Sequence, residues 1–183
     1  MKSLYKFERN QIFRVISGDS TEIRLANPDL HDGQVLIDKK SRKVTVIDFG
    51  QALPISQKQI DFGLQIVTGL VEINKNDKFL AFLNNWLQHS KSQVSLSKKD
   101  LAEILSNDDM MDRFIRLVSK LELMKAPLPL EVVHLVFQLN RVVKLGEKVG
   151  AHPKTYVGIQ LLLRELKTNI SSSLRTCRSA VQK

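Results

Sequence analysis

The sequence is poor in several residue types, and each shortage excludes a class of protein. Cys177 is the only cysteine among 183 residues, so the chain has no internal disulfide framework and no cysteine-based metal cluster. A lone cysteine in a terminal segment is typical of an incidental residue rather than of a catalytic nucleophile. Aromatic residues make up only 6% of the chain and few lie near the basic clusters, which disfavours nucleic-acid binding.

Long apolar runs are also missing. No run approaches the roughly 20 residues that a membrane-spanning helix needs, and the N-terminus lacks the apolar core of a signal peptide. The hydrophobic content of 43% is nevertheless enough for one compact domain with a sizeable core. We therefore expect a single cytoplasmic domain without an interdomain linker.

Acidic residues are outnumbered, with 19 against 28 basic residues and a net charge of +9. Such an excess favours anionic partners. The charge is concentrated in a turn containing Lys39, Lys40, Arg42 and Lys43, and in a tail containing Arg175 and Arg178. Phospholipid headgroups and nucleic acid both fit this charge, and the alternative is a solvated turn with a frayed tail. We find no groove-reading motif, which disfavours nucleic acid, so the interpretations left open are the solvated turn and tail, which we favour, and peripheral contact with an anionic membrane surface.

Apolar periodicity predicts a mainly α chain with a few short strands. Residues 21–25 alternate and predict a strand. Ser56 and Gln59 have the spacing of a capping box, which predicts a helix start there. The predicted helices cover residues 4–17, a segment after Ser56, a segment from about Asp77, residues 97–105, a segment from 107–108, residues 130–148 and a segment from Pro153.

Two β-rich runs, residues 35–37 and 44–47, flank the basic turn and predict an antiparallel hairpin. Asp29 and Gln34 precede the first run, and Asp48 follows the second. The hairpin would therefore bring two carboxylates and an amide together, which are hard oxygen ligands suited to a phosphate-bound magnesium ion. The alternative is a surface hairpin with ordinary turn aspartates.

Around this hairpin the chain resembles the ABC1/UbiB (AarF) family of atypical kinase-like proteins. The matching residues are Asp29, His31, Gly33 and Gln34 of a catalytic-loop motif, and the triplet Asp48, Phe49 and Gly50. Residues 126–131 and 145–153 also resemble the C-terminal half of that family. The resemblance extends over roughly residues 20–165.

This resemblance implies a fold, a set of roles and two cofactors. The fold is the helical C-lobe of a protein kinase, with a small hairpin carrying both motifs. Residues 1–168 would form this domain, residues 1–18 would be a helix in place of the small lobe, and residues 169–183 would be a flexible basic tail. The implied roles are Asp29 as the catalytic-loop aspartate, His31 as loop support, Asp48 and Gln34 as metal ligands, and Asp48, Phe49 and Gly50 as nucleotide contacts. Mg²⁺ and ATP are the implied cofactors.

Three departures shape the expected function. Gln34 stands where the family has asparagine, Asn27 replaces the first histidine of the loop, and only 28 residues precede Asp29. We interpret the chain as a pseudokinase-type binding or regulatory module without independent phosphotransfer. The alternative is an active ATP-dependent kinase or ATPase of quinone-lipid biology whose small lobe is supplied elsewhere.

The missing lobe also predicts what the cleft end of the domain contacts. Its apolar side chains would face water, so something should cover them. The candidates are the amphipathic residues 4–16 of the same chain, a second copy of the chain, or another protein.

The remaining histidines suggest structural or solvent roles. His134 lies in an apolar stretch and is expected to be a hydrogen-bonded core residue. His89 and His152 are expected to be exposed in loops. Their spacing indicates no catalytic triad and no metal–histidine site.

Overall fold

The computed structural model describes residues 1–17, 24–26, 35–38, 40–41, 43–46, 50, 52–72, 76–90, 94–152, 158–160 and 162–164. Over these residues the protein is mainly α, as the periodicity predicts. Residues 158–160 and 162–164 are also helical. The elements are α1 (Lys2–Ser17), β1 (Leu25–Ala26), β2 (Val35–Ile37), β3 (Val44–Val46), β4 (Leu53–Pro54), α2 (Gln57–Val71), α3 (Asn76–His89), α4 (Lys98–Leu105), α5 (Met110–Leu123) and α6 (Leu130–Lys148).

Helix α6 is the central element, because α1, α2 and β1 all pack against it. The crossing with α2 is close: a Cβ at Gly63 would lie only 3.0 Å from Leu135 Cδ2. The largest fully buried side chains come mostly from the helices, and they include Ile12, Ile60, Leu70, Leu83, Phe114, Leu121 and Leu135. Among the described residues, no helix combines the length and apolarity required to cross a membrane.

Local side-chain caps define where the helices begin. The capping box of Ser56 and Gln59 is confirmed, with the Ser56 amide donating to Gln59 Oε1 at 2.8 Å. Ser97 forms a second box at the start of α4. Helix α5 begins at Met110, slightly later than predicted, because the Asp109 side chain is the group that accepts hydrogen bonds from the first turn.

Two helices end in the same hydrogen-bonded motif. After α6, Gly150 has a φ of 74° and the Ala151 amide donates to the Gly146 carbonyl at 2.8 Å. After α5, Lys125 has a φ of 55° and the Ala126 amide donates to the Leu121 carbonyl at 2.9 Å. Both patterns are Schellman endings, in which glycine is the usual residue at the left-handed position.

Charged side chains join α5 to its neighbours. The Arg113 side chain is 3% exposed; its Nη1 donates to the Leu70 carbonyl at 2.7 Å and its Nε donates to the Asn107 carbonyl. On α4, Asp100 Oδ1 lies 2.6 Å from Lys120 Nζ of α5. The hydrogen bond from Lys120 holds the pKa of Asp100 well below its usual range, aided by the Ser97 cap.

Candidate functional site

Two short antiparallel ribbons form the framework of the predicted site. Strand β1 pairs with β4, with Ala26 opposite Leu53, and β2 pairs with β3, with Val35 opposite Val46. The predicted hairpin is thus confirmed in its pairing. The segment 27–34 joins β1 to β2, and the segment 47–52 joins β3 to β4. Both segments therefore connect the same two ribbons, between end residues that are paired.

Most of the predicted site residues lie outside the described part of the chain. These are Asp29, His31, Gln34, Asp48, Phe49, Lys39, Arg42, Arg175 and Arg178. Of the other predicted positions, Gly50, Lys40 and Lys43 are described and exposed. The roles that the resemblance implies for these side chains stay predictions.

The hairpin turn is organised by one carboxylate. Asp38 accepts hydrogen bonds from the Lys40 amide at 2.8 Å and from the Ser41 hydroxyl at 2.6 Å. The Ser41 hydroxyl contributes most to lowering the pKa of Asp38, followed by the backbone amides of the turn. Lys40 and Lys43 of this turn are both exposed.

A buried arginine ties the first ribbon to the helices. Arg24 is 9% exposed and donates from Nη1 to Gln57 Oε1, in the first turn of α2. Its carbonyl accepts from the Ile55 amide at 2.9 Å, which extends the pairing of β1 with β4. The sequence analysis missed this role, because an arginine in an alternating run has the pattern of an exposed strand residue.

An ion pair between a buried glutamate and a partly exposed arginine joins the N-terminal helix to α6. Glu8 on α1 is only 2% exposed and accepts a bidentate contact from Arg141 on α6, with Nε–Oε2 and Nη2–Oε1 both at 3.1 Å. The sequence analysis missed the pair as well. A signal was present, because Glu8 lies at helical spacing between the buried residues Leu4 and Ile12, where an unpaired carboxylate would be costly.

The expectation for His152 was wrong, because the ring is buried at 9% exposure. The ring fills space left by two helical glycines: a Cβ at Gly146 would lie 2.4 Å from its Nε2, and a Cβ at Gly158 would lie 2.3 Å from its Cε1. Beside the ring is a cavity of about 70 Å³ that Tyr5 of α1 also lines. Tyr5 of α1 and the buried imidazole therefore border the same small cavity.

The expectation of a hydrogen bond for His134 was also wrong. Its Nδ1 has no hydrogen-bond partner among the residues that the structure describes, and the same holds for Gln138 Oε1 and Asn140 Oδ1 on this helix. Burial lowers the pKa of His134, against a smaller opposing effect of the Glu131 carboxylate. His89 is exposed as predicted, but it is the last residue of α3 and not a loop residue. No group of three metal-ligating side chains exists among the residues that the structure describes.

Comparison with known proteins does not assign the chain to a family. No protein-family model matches the chain, and neither the curated proteins nor the solved structures gave a significant match.

Proposed function

We propose that the chain is a kinase-like large lobe of the ABC1/UbiB type that acts as a binding or regulatory module without independent phosphotransfer. The observation that supports this proposal is the register of the two ribbons. Ala26 is paired with Leu53, and Val35 with Val46, so each end of one loop starts beside an end of the other. Paired residues of antiparallel strands have Cα atoms about 5 Å apart.

This register has a chemical consequence for the carboxylates. Asp29 belongs to one of the two connecting segments and Asp48 to the other. Since both segments join the same pair of ribbons, the two carboxylates belong to neighbouring stretches of chain although they are distant in sequence. Together with the amide oxygen of Gln34 they would offer a hard-oxygen donor set, which is the type that Mg²⁺ prefers. Bound magnesium would supply charge neutralisation to a phosphate group.

Binding is favoured over transfer for two reasons. Gln34 is one methylene longer than the asparagine of the family, which changes the reach of one metal ligand. Phosphoryl transfer also requires a phosphate-covering loop and a lysine that positions the phosphates, and the 183 residues carry no glycine-rich motif of that type. The intact Asp29 and Asp48 favour the second candidate, an active kinase or ATPase completed by a small lobe from another chain.

The contacts of α1 support partial cover of the loop end by the same chain. Helix α1 packs against β3 as well as α6, and β3 leads directly into the segment that carries Asp48. Leu4, Ile12 and Ile16, which the sequence singles out as apolar, are buried in these contacts. A protein partner or a second copy would then contact the part of the loop end that α1 leaves free.

Calorimetry with Mg-ATP tests the proposal. We expect weak binding that requires magnesium and that Asp48→Asn removes, because the amide takes away a metal-binding charge. The matched control is Asp61→Asn, which alters an exposed aspartate on α2 and should leave binding unchanged. Phosphate release should stay at background. Absence of binding would contradict the proposal, whereas magnesium-dependent turnover lost in Asp48→Asn would favour the active enzyme.

A further inference from the structure

The hairpin and α1 are neighbouring elements, and both carry exposed side chains of a distinctive chemistry. We define the basic face as Lys2, Lys6 and Arg14 of α1, Lys40 and Lys43 of the hairpin, and the apolar residues Leu36 and Ile37 of β2. All seven side chains are exposed. Because α1 packs against β3, the helix and the hairpin are neighbours in the fold.

The exposed charged side chains of α1 are all positive. Its exposed residues between positions 2 and 16 are Lys2, Lys6, Asn10 and Arg14. The single acidic residue of this helix, Glu8, is buried and paired with Arg141, so it does not offset the exposed cations. In the turn, Asp38 is the one carboxylate, and it is engaged by the Lys40 amide and the Ser41 hydroxyl.

The hairpin adds apolar groups to this charge. Leu36 is 56% exposed and Ile37 is 41% exposed. Consecutive strand residues point to opposite faces, so the ribbon presents a large aliphatic side chain to water on both sides. Such an exposed ribbon beside a cationic turn is costly in water, and it is suited to the interface of a lipid bilayer.

From this combination we propose that the basic face docks on an anionic phospholipid surface, with the hairpin entering the headgroup region end-on so that Leu36 and Ile37, on its two sides, both reach that region while the cations contact lipid phosphates. A nucleic acid would use the cations but would leave both aliphatic side chains in water. A peptide strand added to β2 would use the strand edge but not the cations of α1. An anionic bilayer engages both kinds of group.

Vesicle sedimentation tests this docking. The wild-type chain should bind phosphatidylcholine vesicles that contain phosphatidylserine, should bind pure phosphatidylcholine vesicles much more weakly, and should be released by high salt. Each basic residue near such a surface changes the partition coefficient about fivefold. Lys40→Ala with Lys43→Ala should therefore weaken binding roughly twentyfold or more.

Two further variants test whether binding requires this surface rather than any positive charge, and whether the surface binds lipid rather than nucleic acid. Lys78→Ala with Lys99→Ala removes the same charge from exposed positions on α3 and α4, and it should lower binding far less. Leu36→Ser with Ile37→Ser should weaken vesicle binding but leave any binding of single-stranded RNA unchanged. Circular dichroism checks that each variant is folded.

Three results would overturn the proposal. They are equal binding to neutral and anionic vesicles, equal losses in the two lysine pairs, and full vesicle binding by the serine variant. Salt-sensitive RNA binding without vesicle binding would assign the basic face to nucleic acid instead.

Discussion

Two regions of the molecule pack against α6, and they differ in what determines their structure. The helical region, α2 to α5, is specified by local contacts: Ser56, Ser97 and Asp109 cap helices through residues no more than three positions away. The ribbon region, α1 with β1 to β4, depends on distant partners. Its strands have only two or three residues, and α1 is held by Arg141, 133 positions from Glu8.

This difference indicates where stability can be lost locally. A two-stranded ribbon is marginal by itself in water, so β1 to β4 need the surrounding elements to persist. The helices of the other region bury their own apolar faces against α6 and against one another. The candidate site thus lies on the part of the molecule whose structure depends most on distant contacts.

The largest expected effect comes from separating α1 from α6. Arg141→Ala leaves the Glu8 carboxylate buried without its arginine, which should cost about 3–5 kcal/mol of the free energy of unfolding. Denaturant titration measures the loss. Hydrogen exchange should show that amide protection falls first in α1 and β3, while α4 and α5 keep theirs.

The control for this prediction replaces both members of the pair. Glu8→Met with Arg141→Met removes the charge together with its partner, so most of the stability should return. A similar loss in the single and double variants, or a uniform loss of protection across both regions, would contradict the dependence of the ribbon region on this contact.

A smaller effect is expected within the helical region. Arg113→Met leaves the Leu70 and Asn107 carbonyls without their donor and should lower the free energy of unfolding by about 2–4 kcal/mol. Arg116→Met is the matched control, because Arg116 is exposed on the same helix. Its contacts with Glu103 and Ser106 are at the surface and should contribute less.

Hydrogen exchange again distinguishes the regions in this variant. Protection should fall at the end of α2 and in α5, while α1 keeps its protection. The same loss from Arg116→Met as from Arg113→Met would show that burial of the guanidinium does not matter.

The smallest expected effect is a pH dependence of the stability that comes from His134. This residue lies on α6, the helix against which both regions pack. Burial holds the pKa of His134 below the ordinary histidine value of 6.5, so the unfolded chain takes up this proton at a higher pH than the folded chain does. The stability from neutral His134 is therefore fully present above about pH 6.5 and declines as pH falls below it. His134→Leu should flatten this part of the profile of Tm against pH. A wild-type Tm that rises on acidification from neutral pH, with no rise in the variant, would reverse the assigned sign.

The sequence predicts those parts of the fold whose cause is local. The Ser56 box, the helix after Pro129 and the hairpin at residues 35–37 are confirmed. The sequence signals that predict them are, in turn, a capping pair, a proline and a β-branched run. His152 was predicted as exposed because its neighbours in sequence are polar or small. Its burial depends on Gly146 and Gly158, which approach the ring only through tertiary packing.

For the candidate site, the pairing of the strands could be predicted from the sequence, but the side-chain contacts that join the ribbons and α1 to the other helices could not. The pairing of β2 with β3 follows from two apolar runs around a turn. Arg24 and Glu8 are different, because their partners Gln57 and Arg141 lie on other elements and no local pattern indicates them. Periodicity could indicate only that a polar group at position 8 needs a partner.

The contact between Glu8 and Arg141 also determines when α1 can pack during protein synthesis. Ribosomes add about 5–20 residues per second, so α6 follows α1 by an interval on the order of 10 s. Throughout that interval α1 and β1 both lack α6, the helix against which they pack. Although α1 is translated before α2 to α6, it is therefore among the last of these helices to be packed, and its apolar face stays partly exposed until α6 has emerged.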